Sequence, residues 1–186
     1  MQPTYLKNHL LIAMPGLHDQ TFHQAVVYLC EHDAYGAMGL IINRPSKIKL
    51  AELLQHLKID NQSEQIHHGP VLYGGPLKKE QGLVLHNGGQ YWKNTLNVAE
   101  QLYLTSSSDI LADIGTSKGP ENALVSLGYA GWDTGQLESE LAENSWLTVP
   151  ATPEILFNTA PSDRWAQSAR LLGIDIHLLS HQSGHA

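Results

Sequence analysis

Apolar residues gather in short runs along this chain, and two of them lie close together in residues 25–45, AVVYLCEHDAYGAMGLIINRP. Ala25-Val26-Val27-Tyr28-Leu29-Cys30 is rich in β-branched and aromatic side chains, and Ala37-Met38-Gly39-Leu40-Ile41-Ile42 is equally apolar, so each predicts a strand. Neither run alternates, so both faces of each strand are expected to be covered. The polar break at residues 31–36 has hairpin-loop length and ends in Gly36. Asn43-Arg44-Pro45 then stops the second strand, because proline lacks the N–H a ladder needs and restricts the residue before it.

The same reading extends along the chain. Residues 10–14 predict a first strand, closed by Pro15-Gly16, and residues 17–24 a polar connection with Asp19 and Thr21 as caps for a helical turn. Residues 46–49 read as a basic linker. Leu50, Leu53, Leu54 and Leu57 recur at helical spacing and predict an amphipathic helix over 50–57. Strands are expected at 71–73 and 82–86, the two joined by a connection carrying Lys78, Lys79 and Glu80. Further strands are expected at 102–105, 123–127 and 146–149, with helices at 110–114, 136–143 and 164–172 and a glycine-rich turn at 128–135. Asp133 or Thr134 is the expected cap of the second of these helices, Ser162 or Asp163 that of the third. Residues 152–157 fit a strand or a helical turn. Strands and short helices interspersed without a βαβ rhythm predict an α+β fold with a mixed, largely antiparallel sheet.

Composition narrows the function classes. At 186 residues, 42% apolar and 16% charged, the chain suits one globular domain, 1–186, with 174–186 as a tail. A net charge of -7 opposes non-specific nucleic-acid binding, which depends on neutralising phosphates. Arg44, Lys47, Lys49 and Lys58 are read as a solvated loop in the absence of any helix-turn-helix, zinc-finger or RRM signature. The lone cysteine, Cys30, allows no intrachain disulfide and is compatible with a reducing compartment. Residues 1–9 do not read as a signal peptide, and no stretch approaches the roughly 18–20 apolar residues that span a bilayer, so a cytoplasmic protein without membrane contact is expected.

Candidate chemistry sits at a few positions. Arg44, beside Asn43 at a strand end, can fork onto a carboxylate or phosphate; the competing and favoured reading pairs it with an internal acid that fixes a loop. Gly74-Gly75 leaves backbone N–H groups unshielded, as an anion nest does, against the commoner role of a tight turn. Gly131 lies in a stretch, residues 128–135, that resembles neither the dinucleotide fingerprint nor a P-loop, and the expected role of Trp132 there is packing. Cys30 and His32 fall on one face of a strand, so a thiolate activated by His32 is conceivable, although a cysteine ending an apolar run is ordinarily buried and inert. Among the 11 histidines, His67 and His68 diverge, while His177, His181 and His185 share helical spacing in a tail poor in helix formers; neither H-E-x-x-H nor a cysteine pair is present. No metal and no cofactor is expected.

Several phrases carry a resemblance. They are Leu11-Ile12-Ala13-Met14-Pro15, Gly36-Ala37-Met38-Gly39-Leu40-Ile41-Ile42-Asn43-Arg44-Pro45, Gly74-Gly75-Pro76 with Gly82-Leu83-Val84-Leu85-His86, Leu127-Gly128-Tyr129-Ala130-Gly131-Trp132, and Arg164-Trp165 with Leu172-Gly173-Ile174-Asp175. In this order they resemble the AlgH family of bacterial proteins, also called YqgE-like, from about residue 8 to 175. The resemblance implies an α+β fold with a mixed, partly barrel-like sheet flanked by helices. It implies no catalytic residues, and the family takes its name from a proposed role in regulating alginate synthesis. Ala25 stands where many members have Ser, and Gln81-Gly82-Leu83 where Arg-Gly-Phe is common, which weakens any hypothesis needing a positive charge at position 81. The expectation is a binding or regulatory module acting through a small anionic ligand or a protein partner. The alternatives are a hydrolase or transferase using Cys30 or His32 with Arg44, and a transcriptional regulator that binds DNA directly.

Overall fold

The computed structural model describes residues 4–64, 69–89 and 91–180. In chain order its elements are β1 (His9–Ala13), β2 (Val26–Asp33), β3 (Gly36–Ile41), β4 (Pro45–Lys49), α1 (Leu50–His56), β5 (Pro70–Tyr73), β6 (Leu77–Asn87), β7 (Thr95–Ala99), β8 (Leu102–Thr105), β9 (Ala123–Asp133), α2 (Gln136–Ala142), β10 (Trp146–Pro150), α3 (Arg164–Arg170) and α4 (Ile176–Ser180). A 3-10 turn at Ser108–Ala112 and a π turn at Glu154–Asn158 complete them. The fold is α+β, with mixed, largely antiparallel strand pairing flanked by short helices. The chain divides into two compact units, Met1–Arg44 with Ala130–Ala186, and Pro45–Tyr129.

In the first unit the strands run in the order β10-β1-β2-β3 and on to residues 130–133 of β9, antiparallel throughout. Leu10, Leu11, Ile12 and Ala13 are fully buried, as are residues 25–30, which is why neither stretch alternates in sequence. The buried side of α3 carries Arg164, Trp165, Ser168 and Ala169; the Trp165 indole N–H donates to the Ala13 carbonyl at 2.9 Å and ties the helix to β1. In the same unit, Glu140 of α2 accepts the indole N–H of Trp132 at 2.9 Å and that of Trp146 at 2.8 Å. The two rings pack with Phe22, so one carboxylate orients an aromatic cluster that joins α2, β9 and β10.

In the second unit β6 pairs with β9 and β8, and β8 with β7, all antiparallel; β5 pairs antiparallel with β4 and parallel with β9. The core here is built from Leu50, Leu54, Val71, Val84, Trp92, Ile110, Leu111 and Val125. A seven-residue helix such as α1 is marginal alone. Full burial of a leucine contributes about 1.5–3 kcal/mol, and Leu50 and Leu54, one turn apart, are both buried, which holds α1 in place.

Several expected elements changed form on folding. The hairpin at residues 31–36 tightens to the two residues Ala34 and Tyr35, because Glu31, His32 and Asp33 continue the ladder opposite Met38, Ala37 and Gly36. Residues 46–49 are not a linker but part of β4, where Pro45 stands as the first residue, the position in which a strand tolerates a missing donor. Lys78, Lys79 and Glu80 lie inside β6, and β5 joins β9 rather than β6. The expected turn at residues 128–135 is mostly strand, since β9 runs on to Asp133. Neither Asp133 nor Thr134 caps α2; Gly135, with φ at 75°, fills that place, and the Thr134 hydroxyl donates to the Tyr35 carbonyl instead. Asp163 occupies the cap position of α3 but makes no side-chain capping bond. β7 was not legible at all, and part of the expected tail is α4.

Candidate functional site

The segment that follows β3 is fixed by its own side chains. The Asn43 carboxamide accepts the Val26 N–H at 2.8 Å and donates to the Gln24 carbonyl at 2.8 Å, so it bridges the start of β2 and the loop before it. That loop is itself turned by Asp19, whose carboxylate accepts the N–H groups of Thr21 and Phe22 at 2.8 and 2.9 Å. Arg44 donates to the carbonyls of Thr21 and, at 3.0 Å, His23. The expected loop-fixing role is therefore met, but by carbonyls; among the described residues no carboxylate lies within ion-pair distance of Arg44. Carbonyls orient a guanidinium without cancelling its charge.

A polar cleft of about 510 Å³ opens beside this loop. His23, Asn43 and Arg44 form one wall, and Asp163, Arg170 and His177 the other, with the buried Trp165 between them. The His177 ring meets Trp165 edge to face at 5.8 Å. Arg170 is exposed and has no ion-pair partner among the described residues. Behind this wall lies a second guanidinium of the same helix, Arg164, which is 3% exposed. It donates to the carbonyls of Ile155 and Leu156, each at 2.9 Å, and to that of Ile42, and burial lowers its pKa to about 10. Arg164 thus locks the π turn and the end of β3 to α3, which sets the cleft walls at a fixed separation. Arg44 faces one anionic group well, and Arg170 doubles the positive charge on the lining against the single carboxylate of Asp163.

Cys30 and His32 are placed otherwise. A β-bulge between Leu29 and Glu31 leaves Cys30 as the extra residue of the pair with β3. Cys30 is fully buried, and burial, reinforced by Glu31, pushes its thiol well above the usual range, the reverse of what an activated thiolate needs. His32 is a cross-link. Its Nδ1 accepts the Leu6 N–H at 2.9 Å, so the ring proton sits on Nε2 and is donated to Glu138 at 2.9 Å. Both ring nitrogens are occupied, and neither is bonded to Cys30.

The three glycines do not share the Arg44 cleft lining. In the second unit, the Gly74 N–H is committed to the Leu127 carbonyl at 2.8 Å, and a Cβ at Gly74 would stand 2.0 Å from the Ser126 hydroxyl oxygen and 2.4 Å from the Gly128 carbonyl. Gly74 and Gly75, the latter with φ at 154°, make a close backbone approach to Gly128 rather than an open nest. In the first unit, Gly131 pairs with Met38 inside the sheet. Among the described residues no three His, Cys, Asp or Glu side chains gather as a metal site would require; His67, His68, His181 and His185 lie outside those residues. Sequence reasoning missed Arg170 and His23 as parts of the cleft lining and Arg164 as the residue behind it. A signal for Arg164 did exist: it is the charged residue that opens the helix expected at 164–172, directly before Trp165.

Comparison with known proteins gives a consistent outcome. A family model described as AlgH-like matches residues 10–177. A UPF0301 protein of Shewanella woodyi is 51% identical over 183 residues, covering 97% of this chain and 98% of its own. A UPF0301 protein of Xanthomonas campestris is 49% identical over 184 residues, covering 99% and 98%. The solution structure of the AlgH protein from Pseudomonas aeruginosa superposes with a TM-score of 0.79 at 48% identity, covering 100% of this chain and 98% of that one. A crystal structure of a Corynebacterium diphtheriae protein, 19% identical, shares the fold with a TM-score of 0.75 and covers 97% and 94%. Among the described residues, no helix is long and apolar enough to cross a membrane.

Proposed function

The chain belongs to the AlgH-like family, and from that premise we propose that it is a cytoplasmic binding and regulatory module whose ligand is a small anion, a carboxylate or phosphate ester, taken into the Arg44 cleft. One observation carries the reading: the Arg44 guanidinium is held in place by backbone carbonyls, its charge uncancelled, on the wall of a cleft of about 510 Å³ that also presents Arg170. Such an arrangement is pre-organised, because Asn43 and Arg44 are already immobilised and binding need not order them. An acidic side chain of a protein partner would meet the same two guanidinium groups. A thiol-based reaction has no support, since Cys30 is buried with its thiol pKa raised and His32 is engaged at both nitrogens. Direct control of transcription through DNA is disfavoured by the net charge of -7.

Citrate and inorganic phosphate are the probes to titrate, with amide chemical shifts as the readout. Shifts are expected at His23, Arg44 and Ala166, weakening as salt rises. Arg170→Gln removes a charged donor that is not part of the scaffold; at about 1.5 kcal/mol for a charge-assisted bond, affinity should fall roughly tenfold. Shifts confined elsewhere, or an Arg170→Gln variant that binds as the parent does, would overturn the proposal.

A further inference from the structure

A second cavity lies wholly within the unit Pro45–Tyr129, between α1 and the sheet, with a volume of about 140 Å³. Its sheet wall has a gap. Gly82 and Val84 of β6 stand in register with Leu127 and Val125 of β9, so four positions tile one face and one of them has no side chain. Leu53 of α1, Leu57 at its C-terminal cap, and Leu111 close the opposite side.

Neither its φ nor a neighbouring atom requires the glycine. Gly82 does not take a positive φ, and a Cβ at this position would meet nothing within 4 Å. Gly36, Gly39, Gly74 and Gly128 are different: at each of them an added Cβ would come within 3 Å of a neighbour. Gly82 stands where the register of β6 against β9 resumes after a shift that begins at Leu77, and a glycine at such an irregularity also leaves the backbone open to the approach of a ligand. Here it leaves the hole that makes the cavity.

Size and lining define the occupant. An apolar cavity of about 150 Å³ accommodates one benzene ring. This one is apolar at its base and ends at the exposed residues Glu80, Ser106 and Ser108. We propose that it is a binding site for a monocyclic phenol: the ring fills the space over Gly82 against Val84, Val125 and Leu127, the hydroxyl proton is donated to the Glu80 carboxylate, and the phenol oxygen accepts from a serine hydroxyl. A phenol satisfies this rim without bringing an ammonium group beside Lys78 and Lys79, which precede Glu80 in β6. The site is independent of the Arg44 cleft.

The test is a titration of the full-length, isotope-labelled protein with phenol and, separately, with benzene. Phenol is expected to shift the amides of Gly82, Val84, Leu111 and Leu127 with saturation. Benzene should bind the same place at least threefold more weakly. Gly82→Val fills the hole with a β-branched residue suited to a strand, and should weaken phenol more than tenfold while the melting temperature stays the same or rises. Gly82→Ala should fall between the two and serves if the valine variant is poorly folded. Glu80→Gln should narrow the gap between phenol and benzene. No saturable phenol shifts at these amides, or binding that survives Gly82→Val in a folded protein, overturns the proposal.

Discussion

Replacing Arg164 by methionine tests how the cleft is held together. The side chain is 3% exposed and donates to three carbonyls, those of Ile42, Ile155 and Leu156. Methionine keeps much of the volume but supplies no donor, so three buried carbonyls lose their partner. At about 1.5–3 kcal/mol for each bond to a charged group, the gross loss is roughly 4.5–9 kcal/mol. Against this stands the cost of keeping the guanidinium charged in the interior. Burial lowers its pKa from the ordinary arginine value to about 10, which at about 1.4 kcal/mol per unit of pH is roughly 3.5 kcal/mol that the variant no longer bears. The difference centres on about 3 kcal/mol of destabilisation, or a melting temperature lower by about 6–12 °C for a chain of this size. Replacing a buried ion by an apolar residue can be neutral when its partners are replaced too; here the partners are backbone and remain. Urea denaturation followed by tryptophan fluorescence gives the midpoint and slope, with Arg170→Gln as the exposed control expected within about 0.5 kcal/mol of the parent. If Arg164→Met matches that control, the three bonds do not hold α3 to the end of β3 and the reasoning fails.

Two further outcomes follow from the same geometry. Hydrogen bonding from His32 holds the Glu138 carboxyl below its ordinary 4.5. A carboxylate lowered by folding stabilises the native state above its unfolded-state pKa, and that contribution disappears as pH falls through the folded value. The urea midpoint should therefore drop more steeply on acidification from about pH 5 to 3 in the parent than in Glu138→Gln; parallel profiles would exclude the linkage. Gly74→Ala places a methyl group 2.0 Å from the Ser126 hydroxyl oxygen and 2.4 Å from the Gly128 carbonyl; overpacking of this kind costs about 1–3 kcal/mol. A lower denaturation midpoint at unchanged slope is expected, and an alanine variant as stable as the parent would mean that the Gly74 turn is not tightly packed.

Local chemistry was readable from the chain wherever one residue and its neighbours decide the outcome. The apolar runs of β1, β2 and β3, the leucine spacing of α1 and the proline and glycine stops are of that kind, and so is the family resemblance, which rests on contiguous phrases. Arg44 and Asn43 were singled out from a strand end alone, and both do fix the loop before β2. The failures share one physical cause. Whether residues 128–133 turn or continue as strand depends on hydrogen bonds to β6 and β3, tens of residues away. β7 carries only Leu96 and Val98 as large apolar residues and exists because β8 offers it a ladder. Cys30 and His32 do lie near one another along β2, but the bulge, the burial of the thiol and the bonds from Leu6 and to Glu138 are long-range. The grouping of Arg44 with Arg170 and His177 joins positions more than a hundred residues apart. The sequence by itself determined the class of fold, the family and most element types, because propensity and pattern act over a few residues. Only the tertiary structure decided which charges share a cleft, which glycine is packing and which is a hole, because those depend on what the chain brings back from far away.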